Sequence, residues 1–72
     1  MDEAKKARLC ELLIEMTWEQ RHQLKAIVNL ETHDLTVWVC DALIYAGLVT
    51  RDGHMYVPTD EGEYLANLFS AG

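Results

Sequence analysis

The chain has 72 residues, of which 50% are hydrophobic and 25% are charged, and its formal net charge is −6. This length suits one domain with a thin core, and the hydrophobic content excludes a disordered tail. No apolar run approaches the roughly 20 residues of a membrane span, and none near the start suits a signal peptide. We therefore expect one cytoplasmic domain over residues 1–72, with no membrane as a partner, in which Cys10 and Cys40 are buried free thiols.

The negative charge is concentrated in the second part of the chain. Residues 1–28 contain five acidic and five basic residues, whereas residues 29–72 contain seven acidic residues and a single base, Arg51. The net charge of −6 therefore lies entirely after residue 28. A surface of this sign favours basic partners and opposes nucleic acid.

Two helices are predicted before residue 29. The first spans residues 2–16, where apolar residues recur at the spacing of one helix face: Leu9, Leu12, Leu13 and Met16. Thr17 followed by Gln20 has the pattern of a capping box, which predicts a second helix from Trp18 to about Val28. Because no glycine or proline separates the two segments, a single long helix is the alternative.

A third helix is predicted over residues 35–46, with Asp34 as its N-cap. Its inner face is expected to contain five apolar residues: Leu35, Val39, Ala42, Leu43 and Ala46. Gly47 fits the left-handed position after a helix, where Leu48 folds back onto Leu43 in a Schellman motif.

A β-hairpin and a last helix follow. Arg51-Asp52-Gly53-His54 separates two β-prone segments, residues 48–50 and 55–57, and Asp-Gly in such a place is a strong hairpin signal. Pro58 ends the second strand because it has no N–H for the ladder. Thr59 is predicted to cap the last helix, which Gly62 weakens by about 1 kcal/mol relative to alanine. Four residues of this helix are expected to pack inward: Tyr64, Leu65, Leu68 and Phe69.

This order of elements resembles winged helix-turn-helix domains, and the likeness is sharpest around the hairpin. In MarR-like and PadR-like families the recognition helix ends in a Gly-Leu-Val turn, and a Thr-x-x-Gly sequence opens the helix after the wing. This chain has Ala46-Gly47-Leu48-Val49 and Thr59-Asp60-Glu61-Gly62 in those places. The resemblance implies a mainly α fold with a β-hairpin: a three-helix bundle, a two-stranded wing and a C-terminal helix. It also implies that residues 34–46 are the recognition helix and residues 50–56 the wing.

The resemblance leaves the ligand open, since winged helices bind DNA, RNA and proteins alike. The predicted recognition helix has no Arg, Lys, Asn or Gln, and its Asp34 and Asp41 would face the phosphates. Because DNA affinity comes largely from neutralising phosphates, this mode is disfavoured. The alternative is a small transcription regulator that binds DNA as a dimer through cations elsewhere. Those candidates lie on the wing and the second helix: Arg51, His54, Arg21 and Lys25.

A second apolar stripe is predicted on the third helix, formed by Val37, Cys40 and Ile44. It is either covered by another helix or is the surface of a homodimer or of a complex with a protein partner. Trp18 and Trp38 are each expected in the core or at its edge, although Trp18 has polar neighbours that favour partial exposure. An exposed tryptophan is typical of a binding hot spot.

Acidic residues gather around the wing and the start of the last helix. The carboxylates of Asp60, Glu61 and Glu63, together with Asp52, either cap the helix and face water or dock on a basic surface. A cluster used in the second way would let the chain mimic nucleic acid and block a DNA-binding protein.

No catalytic pattern is found in the sequence. It has no glycine-rich phosphate loop, no GxSxG and no HExxH, and its histidines (His22, His33 and His54) lie on three different elements. A domain of this size rarely encloses a ligand-sized pocket. We therefore expect neither an enzyme nor a cofactor, metal or small-molecule substrate. The first hypothesis is a protein-interaction module, ahead of the dimeric DNA-binding regulator and the nucleic-acid mimic.

Overall fold

Four helices and one hairpin form the part of the chain that the structure, a computed structural model, describes: residues 2–31 and 35–70. The elements in chain order are α1 Glu3–Glu15, α2 Trp18–Val28, α3 Val37–Tyr45, β1 Val49–Asp52, β2 Met55–Pro58 and α4 Asp60–Ser70. This mainly helical arrangement with a two-stranded antiparallel hairpin is the predicted winged-helix architecture.

α1 and α2 are separate helices, so the alternative of one long helix is wrong. Met16 has extended backbone angles, and Thr17 then caps α2. The backbone N–H of Gln20 donates to Thr17 Oγ1 at 3.1 Å, and the backbone N–H of Thr17 donates to Gln20 Oε1 at 3.0 Å. This reciprocal pair of bonds is the predicted capping box. It gives side-chain partners to two backbone N–H groups that would donate to backbone carbonyls in a continuous helix.

The start of α3 differs from the prediction. The helix begins at Val37, and Thr36 occupies the N-cap position without a side-chain cap of its own. The side chain of Gln23 on α2 holds Thr36 instead: Oε1 accepts from the Thr36 backbone N–H at 2.8 Å, and Nε2 donates to Thr36 Oγ1 at 3.0 Å. Asp34, the predicted cap, lies outside the described residues. A bond from a residue 13 positions away leaves no local signal in the sequence.

α3 ends as predicted. Gly47 has a φ of 81°, the left-handed conformation that glycine adopts without a steric penalty. The Leu48 N–H donates to the Leu43 carbonyl at 3.0 Å, and the Gly47 N–H donates to the Ile44 carbonyl at 3.0 Å. These two bonds define the Schellman motif.

The wing is a hairpin with a two-residue loop. Asp52 pairs with Met55, so the loop is Gly53-His54 and the strands are longer than predicted. Gly53 has a φ of 66°, whereas His54 has a negative φ, which is the pattern of a type II′ turn with glycine first. Pro58 closes the second strand opposite Val49.

Thr59 joins the base of the wing to α4. Its Oγ1 accepts from the Gly62 N–H at 3.1 Å, which confirms the predicted cap, and donates to the Gly47 carbonyl at 2.7 Å. Gly62 itself is buried, and a Cβ at this position would overlap the backbone carbonyl of Leu48. The glycine that weakens α4 as a helix therefore permits α4 to approach the wing closely.

The core lies where the helices meet the wing base. Its buried apolar residues are Leu9, Met16, Leu24, Ile27, Val39, Cys40, Leu43, Leu48, Val49, Leu65 and Ala66. Cys10 and Leu68 were predicted to be buried, but Cys10 is exposed and Leu68 is 40% exposed. Each residue adds about 100° around a helix, which turns Cys10 away from Leu9. On α4 the buried residues are Gly62, Leu65 and Ala66, and Leu68 lies at the edge of the face that they form.

Candidate functional site

The predicted stripe on α3 is not a surface. Cys40 is completely buried, whereas Ile44 is half-buried and Val37 is 65% exposed. Cys40 points toward α2, where its Sγ lies 4.0 Å from Gln23 Oε1. Burial raises the pKa of the Cys40 thiol, with a smaller contribution from the charge of Asp41. The assignment of Cys40 to partner binding is therefore wrong, since this thiol belongs to the core.

The exposed side of α3 carries different residues. Trp38 is 75% exposed and Tyr45 is 94% exposed, and Val37 and Asp41 are exposed beside them. Trp38, Asp41 and Tyr45 follow the three- and four-residue spacing of one helix face. We call Val37, Trp38, Asp41 and Tyr45 the outer face of α3. The expectation that Trp38 lies in or beside the core is wrong, because core contacts are made by Val39, Cys40 and Leu43.

Asp41 is the single charged residue of α3, so the helix has no cation on any side. In the winged-helix resemblance this helix is the one that reads DNA. A carboxylate flanked by two aromatic rings repels phosphate and offers no donor to a base edge. The sequence already contained the signal for this face, because the single charged residue of an apolar helix marks the side that meets water.

One of the cations predicted to contact DNA is committed to the fold. The guanidinium of Arg21 donates through one terminal nitrogen to the Leu13 carbonyl at 2.6 Å, at the C-terminal end of α1. The same carbonyl accepts a longer bond from the Met16 N–H at 3.3 Å, so Arg21 adds a short bond in the last turn of α1. A cation there also suits the helix dipole. Arg21 is therefore a structural residue that fixes α1 to α2, and its assignment as a DNA contact is not supported.

The remaining predicted cations lie on separate elements. Lys25 is exposed on α2, beside Trp18, and His54 is exposed in the loop of the wing. On β1, the guanidinium carbon of Arg51 lies 5.5 Å from the ring centroid of Tyr56, its cross-strand neighbour. α3 contributes no positive charge that would join these cations into a continuous strip.

Trp18 is exposed, but it has a partner on its own helix. Its ring stacks on His22, with centroids 5.1 Å apart and planes inclined by 6°. Both side chains, with Lys25 and Phe69, line a shallow pocket of about 270 Å³ between α2 and the end of α4. Trp18 therefore lies on a different surface from the outer face of α3.

The three acidic site residues of α4 divide into two kinds. Glu61 Oε1 accepts a hydrogen bond from Lys5 Nζ at 2.8 Å, which joins α4 to α1. This hydrogen bond lowers the pKa of Glu61 and raises the pKa of Lys5. Asp60 and Glu63 are exposed in the first turn of α4, where the helix dipole favours their charge. Glu61 thus holds two helices together, and Asp60 and Glu63 present carboxylates to solvent.

The described residues were also searched for metal sites and for membrane-spanning helices. Among residues 2–31 and 35–70, no three His, Cys, Asp or Glu side chains are placed to hold a metal ion together. The helices of the same residues are too short or too polar to span a bilayer.

Comparison of the chain with models of protein families, with curated proteins and with solved structures finds no match. The surfaces described above are therefore the basis of the function proposed below.

Proposed function

We propose that this chain is a small protein-interaction module, an adaptor or an inhibitor, that docks on a protein partner through the outer face of α3. One observation carries the proposal: Trp38 and Tyr45 are exposed on the helix that would read DNA, and that helix contains no cation. Tryptophan and tyrosine dominate the energetics of protein interfaces because they bury a large area at a small cost in conformational entropy.

The charge of the chain supports the same choice of partner. The net charge of −6 lies after residue 28, in the part that contains α3, the wing and α4. Exposed carboxylates such as Asp41, Asp60 and Glu63 raise the rate of association with a basic protein and suppress binding to nucleic acid. The proposed docking surface differs from the stripe predicted from the sequence. It keeps Val37, omits the buried Cys40 and adds the exposed Trp38, Asp41 and Tyr45.

A capture experiment followed by reconstitution tests this function. The full chain captures partners from its source cell, and the partner identified is then purified and titrated against variants. Trp38→Ala is expected to weaken binding by about 30-fold, the effect of losing one hot-spot residue. Trp18→Ala is the matched control, since it removes an equally exposed tryptophan from a different surface. A partner that tolerates Trp38→Ala and Tyr45→Ala would refute the proposal.

A mobility-shift assay on mixed DNA at low salt tests the regulator hypothesis directly. We expect no retardation at micromolar protein. Sub-micromolar binding that disappears with Arg51→Ala would replace the proposed function with DNA binding through the wing.

Sedimentation at two protein concentrations tests the homodimer. A dimer that dissociates with Trp38→Ala would identify a second copy of the chain as the partner that binds the outer face of α3.

A further inference from the structure

Asp41 stands between the two exposed rings of the outer face. Trp38 precedes it by three residues and Tyr45 follows it by four, so on a helix each ring has its Cβ about 5–6 Å from that of Asp41. All three side chains are exposed, and Trp38 and Tyr45, seven positions apart, are separated by about 10 Å along the helix axis. The face is therefore a short row of ring, carboxylate and ring.

This row has the chemistry of a cation-binding surface. The face of an aromatic ring attracts a cation, most strongly for tryptophan, and a carboxylate binds a guanidinium through two parallel hydrogen bonds. Arginine combines both, since its planar head stacks on rings while it pairs with carboxylates. The wing already contains one such contact, between Arg51 and Tyr56 at 5.5 Å.

No cation of the described chain fills the row. The salt bridges among residues 2–31 and 35–70 join Lys5 to Glu61 and Lys6 to Glu3, and neither involves Asp41. A second copy of the chain is a poor occupant as well. A two-fold axis through the centre of the outer face would bring two Asp41 carboxylates together, and like charges in contact oppose association.

We infer that the outer face of α3 binds a basic segment of a partner protein, with an arginine side chain held by Asp41 against Trp38 or Tyr45. This inference rests on the proposed function and specifies the chemistry of its partner. Charge complementarity supports it, because the part of the chain that contains this face carries the whole net charge of −6.

A short arginine peptide tests the inference without knowledge of the partner. The probe is acetyl-Gly-Arg-Gly-Arg-Gly-amide, and its control replaces both arginines with citrulline, which has the same shape without the charge. We expect the arginine peptide to produce saturable NMR shifts of the Trp38 indole N–H and of the Asp41 and Tyr45 amides. The citrulline peptide is expected to produce none, and salt is expected to reduce the shifts.

Two variants localise the effect. Asp41→Asn is expected to weaken peptide binding at least 5-fold, an ordinary effect for the loss of one charged contact. Asp60→Asn neutralises an exposed carboxylate on α4 and is the control, for which we expect an affinity within 2-fold of that of the original chain. Shifts centred on Asp60 and Glu63, equal binding of the citrulline peptide, or shifts of the same residues on self-dilution without peptide would each overturn the inference.

The inference and the proposed function fail differently. If the captured partner is lost with Trp38→Ala but binds Asp41→Asn as tightly as the original chain, at low and high salt, the docking function stands and the basic segment is wrong. If the partner binds Trp38→Ala unchanged, the docking function itself is wrong.

Discussion

The two sides of α3 meet opposite environments with similar side chains. Val39, Cys40 and Leu43 are buried against the rest of the domain, whereas Trp38 and Tyr45 project into solvent from the same nine-residue helix. The larger and more aromatic residues are on the outside. The comparison shows that residue type does not separate core from surface here, and that angular position around the helix does. An exposed side with more apolar area than the fold requires is best explained by a partner.

The sharpest test of this contrast exchanges one residue on each side for alanine. Leu43→Ala is expected to lower the free energy of unfolding by about 2–5 kcal/mol, because it leaves a cavity in a packed core. Tyr45→Ala is expected to change it by less than about 0.5 kcal/mol, since its side chain makes few contacts. Urea titration followed by circular dichroism measures both. Equal losses would mean that the outer face is packed and is not a docking surface.

A second test concerns the close approach of α4 to Leu48, at the base of the wing. Gly62→Ala normally stabilises a helix by up to about 1 kcal/mol. Here we expect a loss of about 1–3 kcal/mol, because the new Cβ would overlap the Leu48 carbonyl and displace α4. The urea midpoint measures the sign of the change. Increased stability would show that α4 lies farther from the wing base than described.

A third test addresses what holds the start of α3. Gln23→Ala removes both hydrogen bonds to Thr36 and leaves its backbone N–H without this partner, which is expected to cost about 1–3 kcal/mol. Lys25→Ala, an exposed position on the same helix, is the control and should have little effect. Hydrogen exchange of the first-turn amides of α3 should accelerate in Gln23→Ala alone. Unchanged exchange would mean that α3 starts independently of α2.

The smallest expected effect is the pH dependence of the salt bridge between α1 and α4. The pKa of Glu61 is lowered in the folded state, so its contribution is present above the ordinary pKa of a glutamate and is lost as the pH falls through the folded value. The pKa of Lys5 is raised, so its contribution is present at neutral pH and is lost as the pH rises through the folded value. Glu61→Gln should therefore lower the urea midpoint at pH 7 and make a smaller difference in acid.

Glu63→Gln is the matched control for that experiment, since Glu63 is exposed on the same helix. A difference between Glu61→Gln and the original chain that stays constant from neutral pH into acid would show that the ion pair does not form in solution.

Local signals account for most of the fold that the sequence predicted. The capping box of Thr17 and Gln20, the glycine at position 47 and the cap at Thr59 each act within a few residues, so their patterns are readable along the chain. The bonds from Gln23 to Thr36 and the contact of Gly62 with Leu48 join residues distant in sequence, and no local pattern reports them. In α3 the periodicity correctly placed Val39 and Leu43 in the core, but it assigned the buried Cys40 to a second, outer stripe. The position of Asp41 was the better guide to the exposed side.

The base of the wing has a practical consequence. The Thr59 hydroxyl bonds to both Gly47 and Gly62, and the Thr59 N–H donates to the Leu48 carbonyl at 3.0 Å, so the hairpin is anchored at its root. The loop Gly53-His54 at the opposite end takes no part in that anchoring. Foreign sequence, such as an epitope tag or a fluorophore attachment site, is therefore best inserted at this tip, where it would report on the domain without unfolding it.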